Sequence, residues 1–289
     1  MSFSKKLLSR KFTVTAEISP PKGTDISGMI KEAEMVRGIV DAVSVTDNQR
    51  AIMRMSPLAA CSALSQEGFE TIMHLTCRDR NRLALQSELL GAAYPGIKNV
   101  LVMSGDYPTK GDHPGAKPVY DLDSVQLLDM ISRLNSGVDL SGNELEGKTE
   151  FFAGAVSNME LTEVALMKLE KKIKAGAHFI ITQAVFDAGK FSGFMDKIHG
   201  ACGKQIGLIA GIIPLKSEKS AQFLNKNIAG VKVPDDVLRR ITAASDPEAV
   251  GIEIAADMIK ELRDVCNGVH IMPIGSHKNT AKILEMAGI

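Results

Sequence analysis

A carboxylate set among apolar residues is the first chemically suggestive feature of this sequence. Glu17 lies in the run FTVTAEIS at Phe12–Ser19 and is followed by Pro20 and Pro21, which stiffen the chain after it. Partial desolvation disfavours a carboxylate's anion and raises its pKa, and this makes a glutamate a general acid near neutral pH. A structural ion pair with a lysine or arginine is the competing reading. Asp106 closes the run NVLVMSGD at Asn99–Asp106 behind Gly105, where a glycine lets a ligand approach the backbone. A turn or cap aspartate is the alternative there. Gln183, in HFIITQAV at His178–Val185, carries an amide that needs several partners if buried, and a ligand edge would supply them. His74, inside TIMHLTC at Thr71–Cys77, reads more simply as a core histidine bonded to a backbone carbonyl. Lys171 and Lys172 read as a solvated helix face.

Other chemistries find little support. The six histidines are dispersed, with no H-x-x-x-H or H-E-x-x-H, so no metal centre is expected. G-x-S-x-G and the P-loop are both missing, which argues against a serine nucleophile and against nucleoside triphosphate chemistry.

The elements that must hold these residues are short apolar runs alternating with helical periodicity. The other strand-like runs are Ala42–Asp47, Phe151–Ser157, Gly207–Pro214 and Gly268–Gly275. Several are apolar on both faces, as in a parallel sheet covered on two sides. Helices are expected over Ser27–Ile39, Asp79–Ala93, Asp121–Leu134, Glu160–Ala177, Asp187–His199, Ser217–Asn225, Pro234–Ala244 and Pro247–Val265. Asp79 and Asp121 are read as caps. Eight strands alternating with helices over about 250 residues match a (β/α)8 barrel, with functional groups at the C-terminal strand ends. A doubly wound open sheet is the runner-up, but no G-x-G-x-x-G follows the first strand. One barrel domain is expected over residues 1–289. Its longest irregular stretch, Tyr107–Val119, is long enough to be functional or mobile.

Composition is that of a globular protein, 45% hydrophobic and 24% charged. Thirty-four basic residues balance thirty-four acidic ones, so no bulk charge favours nucleic acid or an anionic membrane as partner. Cys61, Cys77, Cys202 and Cys266 are scattered and are expected to be reduced thiols. With neither a signal-like leader nor a membrane-length apolar run, a cytoplasmic location is expected.

In order along the chain, the strand ends resemble the methylenetetrahydrofolate reductase family. The matching pieces are AEISPPKG at Ala16–Gly23, SVTDN at Ser44–Asn48, HLTC at His74–Cys77, SGD at Ser104–Asp106, KKIKAGAHFIITQAVFD at Lys171–Asp187 and GIIPLKS at Gly211–Ser217. The resemblance implies a barrel with non-covalent FAD, which takes hydride from NADH or NADPH and passes it to methylenetetrahydrofolate, giving 5-methyltetrahydrofolate. It implies that Glu17 is the acid that protonates N10 and opens the folate ring to a 5-iminium cation. Asp106 would be the flavin-side aspartate whose charge stabilises that cation. Gln183 matches a glutamine that hydrogen-bonds folate. Thr46, His74 and Lys172 match flavin-contacting positions, and Tyr120 does so more loosely. Asp47, Asn48, Ser104, Gly105 and Asp121 accompany them as expected cofactor contacts.

There are departures from the family pattern. Ser104 stands where many relatives have arginine, and Ala155–Asn158 lacks a Tyr-Pro pair. Ser220 and Leu224 take the places of a glutamine and a phenylalanine that contact folate or nicotinamide, and Ser276 replaces an arginine. The pattern resembles the shorter branch found in anaerobes, whose catalytic subunit can work with a partner carrying iron–sulfur or zinc centres. An oligomer is expected. The alternatives are a folate-binding subunit active only within such a complex, and a flavin-free reductase on the same fold.

Overall fold

A computed structural model of the chain describes every residue except Lys204, Gln205 and Ala229, and for Cys202 the backbone alone. Eight parallel strands close into a barrel in the order β1 to β8, with β1 paired to both β2 and β8. They are β1 (Thr13–Ile18), β2 (Ala42–Val45), β3 (Thr71–Thr76), β4 (Asn99–Met103), β5 (Phe152–Ser157), β6 (Phe179–Ala184), β7 (Gly207–Ile212) and β8 (Gly268–Ile271). Closure sets aside the open doubly wound sheet, and all eight expected runs form strands, each shorter than its apolar run.

Around them lie α1 (Phe3–Leu8), α2 (Ser27–Glu34), α3 (Pro57–Gln66), α4 (Arg82–Ala93), α5 (Ser124–Ser136) and α6 (Glu163–Lys174). These are followed by α7 (Ala188–Cys202), α8 (Glu218–Asn227), α9 (Asp235–Thr242), α10 (Pro247–Leu262) and α11 (Thr280–Ala287). Three of these were not legible as helices: α1, α3 and α11. The inner side of α3 is built largely from small residues, Ala60 and Cys61 beside Leu64, so its amphipathic signal is weak. Two expected caps are corrected. Helix α4 is capped by Asn81 rather than Asp79, and α5 by Asp123 in a capping box with Gln126 rather than Asp121. The Asp79 and Asp121 carboxylates are taken by Arg78 and Arg82.

Strand alternation divides each strand between two cores. Val14, Ala16 and Ile18 of β1 join the large cluster shared with the helices. The opposite face of the sheet makes the barrel interior, where Ala42, Ile72, Leu101, Phe152, Phe179, Ile181 and Ile209 pack on one another. Helix α1 plugs the lower end. Phe3 meets Phe152 and Phe179 edge-on at centroid distances of 6.1 and 5.3 Å, and its N–H donates to Glu70 Oε1 at 2.9 Å. Gly154 makes room for this, since a Cβ there would lie 2.3 Å from the Phe179 ring.

Cys61, Cys77 and Cys266 are unpaired, and the Cys202 thiol lies outside the described residues. No described helix is long and apolar enough to cross a membrane.

Candidate functional site

With the lower interior filled by aromatic and aliphatic side chains, the polar inward residues collect toward the mouth. Alternation turns Thr13, Thr15 and Glu17 inward on β1, since their neighbours Val14, Ala16 and Ile18 pack outward. Glu17 keeps only 13% of its side chain exposed. Burial pushes its carboxyl up to about 7, against a partial lowering by the Gln49 amide, which donates to Oε1 at 2.8 Å. Its other oxygen lies 4.0 Å from His270 Nε2, on β8. No lysine or arginine pairs with it among the described residues, so the structural ion pair considered for Glu17 is not what the fold builds.

Two buried histidines complete the interior below. His270 shares a 2.8 Å hydrogen bond with Thr15 through Nδ1, and His74 shares a 2.6 Å bond with Ser44 through Nε2. Burial depresses them to about 3 and about 4, so both rings are neutral at physiological pH. His74 therefore bonds a hydroxyl rather than a backbone carbonyl.

The ends of β2, β3 and β4 are tied by charge. Asp47 Oδ2 accepts from the Thr76 amide and hydroxyl, both at 2.9 Å, and from Arg80 at 2.8 Å. Arg78, only 2% exposed, donates to the carbonyls of Asn48 and Asp106 and pairs with Asp79. Asn48 spends its side chain on the Arg54 amide and on Asp79. Asp121 is bound to Arg82 in three hydrogen bonds, which hold its carboxyl down to about 2. Of the positions expected to hold a cofactor, Asp47, Asn48 and Asp121 thus have their polar atoms engaged by protein.

Others remain available. Thr46 is 1% exposed and its hydroxyl has no partner among the described residues. An orphaned buried oxygen at a strand end is what a ligand would satisfy. Gly105 has φ +86°, and a Cβ there would press on Thr76 and Arg78 at 3.1–3.3 Å, so a glycine lets the chain turn here. Tyr120 braces this turn by donating to the Gly105 carbonyl at 3.0 Å. Ser104 and Asp106 emerge exposed from it, with Lys110 4.0 Å from the Asp106 carboxylate. Lys172 is not a solvated face residue. It is half-buried and donates to the Val156 carbonyl at the end of β5, and desolvation brings its ammonium down to about 8.

At β6 the pairing with β7 shifts register between Ile181 and Ala184. Thr182 donates to the Gln183 carbonyl and accepts from Gly211, fixing this irregularity, and leaves the half-buried Gln183 amide free of partners among the described residues. Bulges of this kind re-aim side chains at strand ends.

On α8 the two expected substrate contacts are otherwise occupied. The Ser220 hydroxyl closes the helix cap with Ser217, donating to its carbonyl at 2.6 Å. Leu224 is 5% exposed in an apolar cluster with Leu215, Ala221 and Val231. Its neighbour Phe223 is the exposed residue at this turn and lies under the Arg50 guanidinium at 5.1 Å. A one-residue offset in helical phase separates the two, and the resemblance had pointed to the buried one. Gln49, Arg50, Arg78 and His270 also escaped the sequence reading, because each acts through partners remote in the chain.

This mouth can hold a protonated carboxylic acid against a bound molecule, offers an unpaired hydroxyl and amide, and carries an exposed carboxylate at the end of β4. Comparison with known proteins adds to it. The family model described as methylenetetrahydrofolate reductase matches residues 2–288. Methylenetetrahydrofolate reductase 2 of Schizosaccharomyces pombe is 28% identical over 230 residues, covering 75% of this chain and 35% of that protein. The 5,10-methylenetetrahydrofolate reductase of Pectobacterium carotovorum is 27% identical over 290 residues, covering 98% and 92%. This chain therefore spans about a third of the fungal relative and nearly all of the bacterial one. Among solved structures, a Clostridium thermocellum protein described as binding two copies of 5-methyl-5,6,7,8-tetrahydrofolic acid superposes with a TM-score of 0.72. It covers 98% of this chain and 96% of its own at 17% identity, a likeness of fold.

Proposed function

The chain belongs to the methylenetetrahydrofolate reductase family, and on that premise we propose that it reduces 5,10-methylenetetrahydrofolate to 5-methyltetrahydrofolate with bound FAD. One observation carries the reading: the Glu17 side chain is 13% exposed at the barrel mouth, flanked by Gln49 and His270 with no lysine or arginine partner among the described residues, and burial pushes its carboxyl up to about 7.

The residues present fit the flavin. Thr46 offers a buried hydroxyl with no partner among the described residues, Gly105 turns the chain at the end of β4, and Lys172 offers a half-buried ammonium. Together with Ser104, Asp106 and Tyr120 they would hold the group, with His74 and Asp47 supporting the floor and wall beneath. When bound, FAD supplies the hydride-transfer chemistry, and NADH or NADPH is the proposed donor.

The chain's own residues then manage the substrate. The methylene bridge becomes reactive when N10 is protonated, the bond between N10 and the bridging carbon breaks, and a 5-iminium cation forms. Glu17 in its acid form gives that proton, and a pKa near the working pH suits this transfer. The Asp106 carboxylate supplies negative charge for the cation. The free Gln183 amide suits the donor and acceptor edge of the pterin ring. Phe223 offers an exposed aromatic face to the rest of the molecule.

The test is anaerobic and direct. Purified protein is expected to be yellow, to bleach with NADH or NADPH, and to form 5-methyltetrahydrofolate when methylenetetrahydrofolate is then added. A colourless protein that still forms the product would replace this reading with the flavin-free reductase. Bleaching only when an electron-carrying subunit or an artificial carrier is added would replace the nicotinamide with a partner as donor. Absence of product in every case would refute the assignment.

A further inference from the structure

The connection from β2 to α3 places three non-glycine residues in the left-handed region within four positions. They are Asn48 (φ 44°), Arg50 (φ 58°) and Ala51 (φ 57°). Such conformations persist only where the surroundings over-determine them, and they gather at functional sites. Here the surroundings are specific. Arg78 donates to the Asn48 carbonyl at 3.2 Å, the Arg54 amide to Asn48 Oδ1 at 2.9 Å, and Asn48 Nδ2 to Asp79 at 3.3 Å. From above, Gly111 packs so closely that a Cβ on it would lie 1.8 Å from the Ala51 carbonyl oxygen. Gly111 is itself positioned by its neighbour Asp112, which accepts from the Met53 amide and from Lys22.

The turn delivers Gln49 to Glu17. The amide Nε2 donates to Oε1 at 2.8 Å, although Gln49 itself is exposed and belongs to no core. We propose that Gln49 is a positioning residue for Glu17, held by this strained turn so that one carboxyl oxygen is always occupied by an N–H donor and the other carries the transferable proton. The proposal rests on the reading of Glu17 as the acid, and extends it to how the acid is oriented and tuned.

The physical logic follows from what surrounds the carboxyl. Oε2 faces His270 of β8 at 4.0 Å, and His74 of β3 lies near His270 in the same interior. His277, from the segment after β8, holds the Glu17 carbonyl rather than the carboxyl, and its own amide N–H donates to Glu32. Both interior rings are neutral, so no cation among the described residues offsets burial. A donor on Oε1 favours the anion and so opposes the desolvation of Glu17. Without it the acid would hold its proton too tightly to release it to a weakly basic nitrogen.

The experiment titrates Glu17 itself. Protein carrying 13C-carboxyl glutamate is followed by NMR against pH, with the Glu17 resonance assigned by its loss in Glu17→Gln. Gln49→Ala is expected to move the midpoint upward by about one unit, the size of a lost hydrogen bond to the charged form. Gly111→Ala, which must displace the turn without removing the amide, is expected to move it in the same direction. A midpoint unmoved or lowered in Gln49→Ala overturns the proposal, and one unmoved in Gly111→Ala overturns the part assigned to the turn. The readout needs neither flavin nor folate, so a protein that failed to reduce methylenetetrahydrofolate would refute the proposed function and leave this result standing.

Discussion

His277 donates its Nε2–H to the main-chain carbonyl of Glu17 across 2.8 Å, so the segment after the last strand grips a residue of the first. A carbonyl oxygen can only accept, which fixes the proton on Nε2 and leaves Nδ1 to accept from the Thr280 hydroxyl at 3.0 Å. The contact spans 260 residues of sequence and exists only because β8 pairs with β1. It holds the backbone of Glu17, while Gln49 and His270 flank its carboxyl.

Glu17→Gln keeps the shape and the amide-compatible contacts of the site but has no proton to give. Flavin binding and flavin reduction are expected to survive, while single-turnover folate reduction falls by about 10²–10⁴-fold. In the parent protein the folate half-reaction should slow as pH rises through about 7, because the acid form is the active one. Equal loss in both half-reactions would make Glu17 structural, and a flat folate profile across that range would remove its role as acid.

Acid stability should show two opposing contributions. His74 and His270 fall from 6.5 to about 4 and about 3 on folding, so between these values the unfolded chain binds protons that the native rings refuse. Their contribution is complete above 6.5 and is lost as pH falls. Glu17 rises from 4.5 to about 7, so its contribution is complete below 4.5 and is lost as pH rises through 7. Glu17→Gln removes the second effect. Its melting temperature should therefore drop more steeply than that of the parent as pH is lowered from 7 to 4.5, which thermal melts across that window would reveal.

Asp47 was expected to touch the cofactor, yet its carboxylate is fully spent on Thr76 and Arg80, with its side chain 0% exposed. Asp47→Ala leaves the Arg80 guanidinium without its closest partner and the Thr76 amide unsatisfied. The expected cost is about 3–5 kcal/mol in chemical denaturation of the flavin-free protein. Unchanged stability with lost flavin would make Asp47 a direct ligand instead.

Thr46 presents the opposite case. Thr46→Val removes a buried hydroxyl that has no partner among the described residues, so flavin-free stability should stay level or rise by up to about 1 kcal/mol. Flavin retention on gel filtration should weaken, since a ligand hydrogen bond is lost. A clear loss of flavin-free stability would show that the hydroxyl serves the fold.

Much of this was legible because it depends on local pattern. Apolar runs such as Gly207–Ile212 are buried along their whole length, and their number and alternation with helices indicate a parallel barrel. Alternation in FTVTAEIS already turned Glu17 away from Val14, Ala16 and Ile18. The expected helices from Asp187 and Ser217 begin where the fold starts them, and both residues turn out to be their N-caps. Asp79 and Asp121 misled for the same reason, since their type suits a cap but arginines nearby claim the carboxylates. Residue type cannot show that competition.

The sequence by itself determined the strand and helix alternation, the inward phase of Glu17, and the order of motifs that marks the family. These are properties of neighbours along the chain, and the covalent spacing already carries them. Only the tertiary structure decided which polar groups are satisfied. Closing the barrel brings β8 against β1 and so sets His270 beside the Glu17 carboxyl. The folded loops carry Gln49 to its other oxygen, bury Leu224 instead of Phe223, and leave Thr46 and Gln183 without partners among the described residues at the mouth. Satisfaction of a polar atom depends on what long-range packing brings within 3 Å, and no spacing rule along the chain contains that distance.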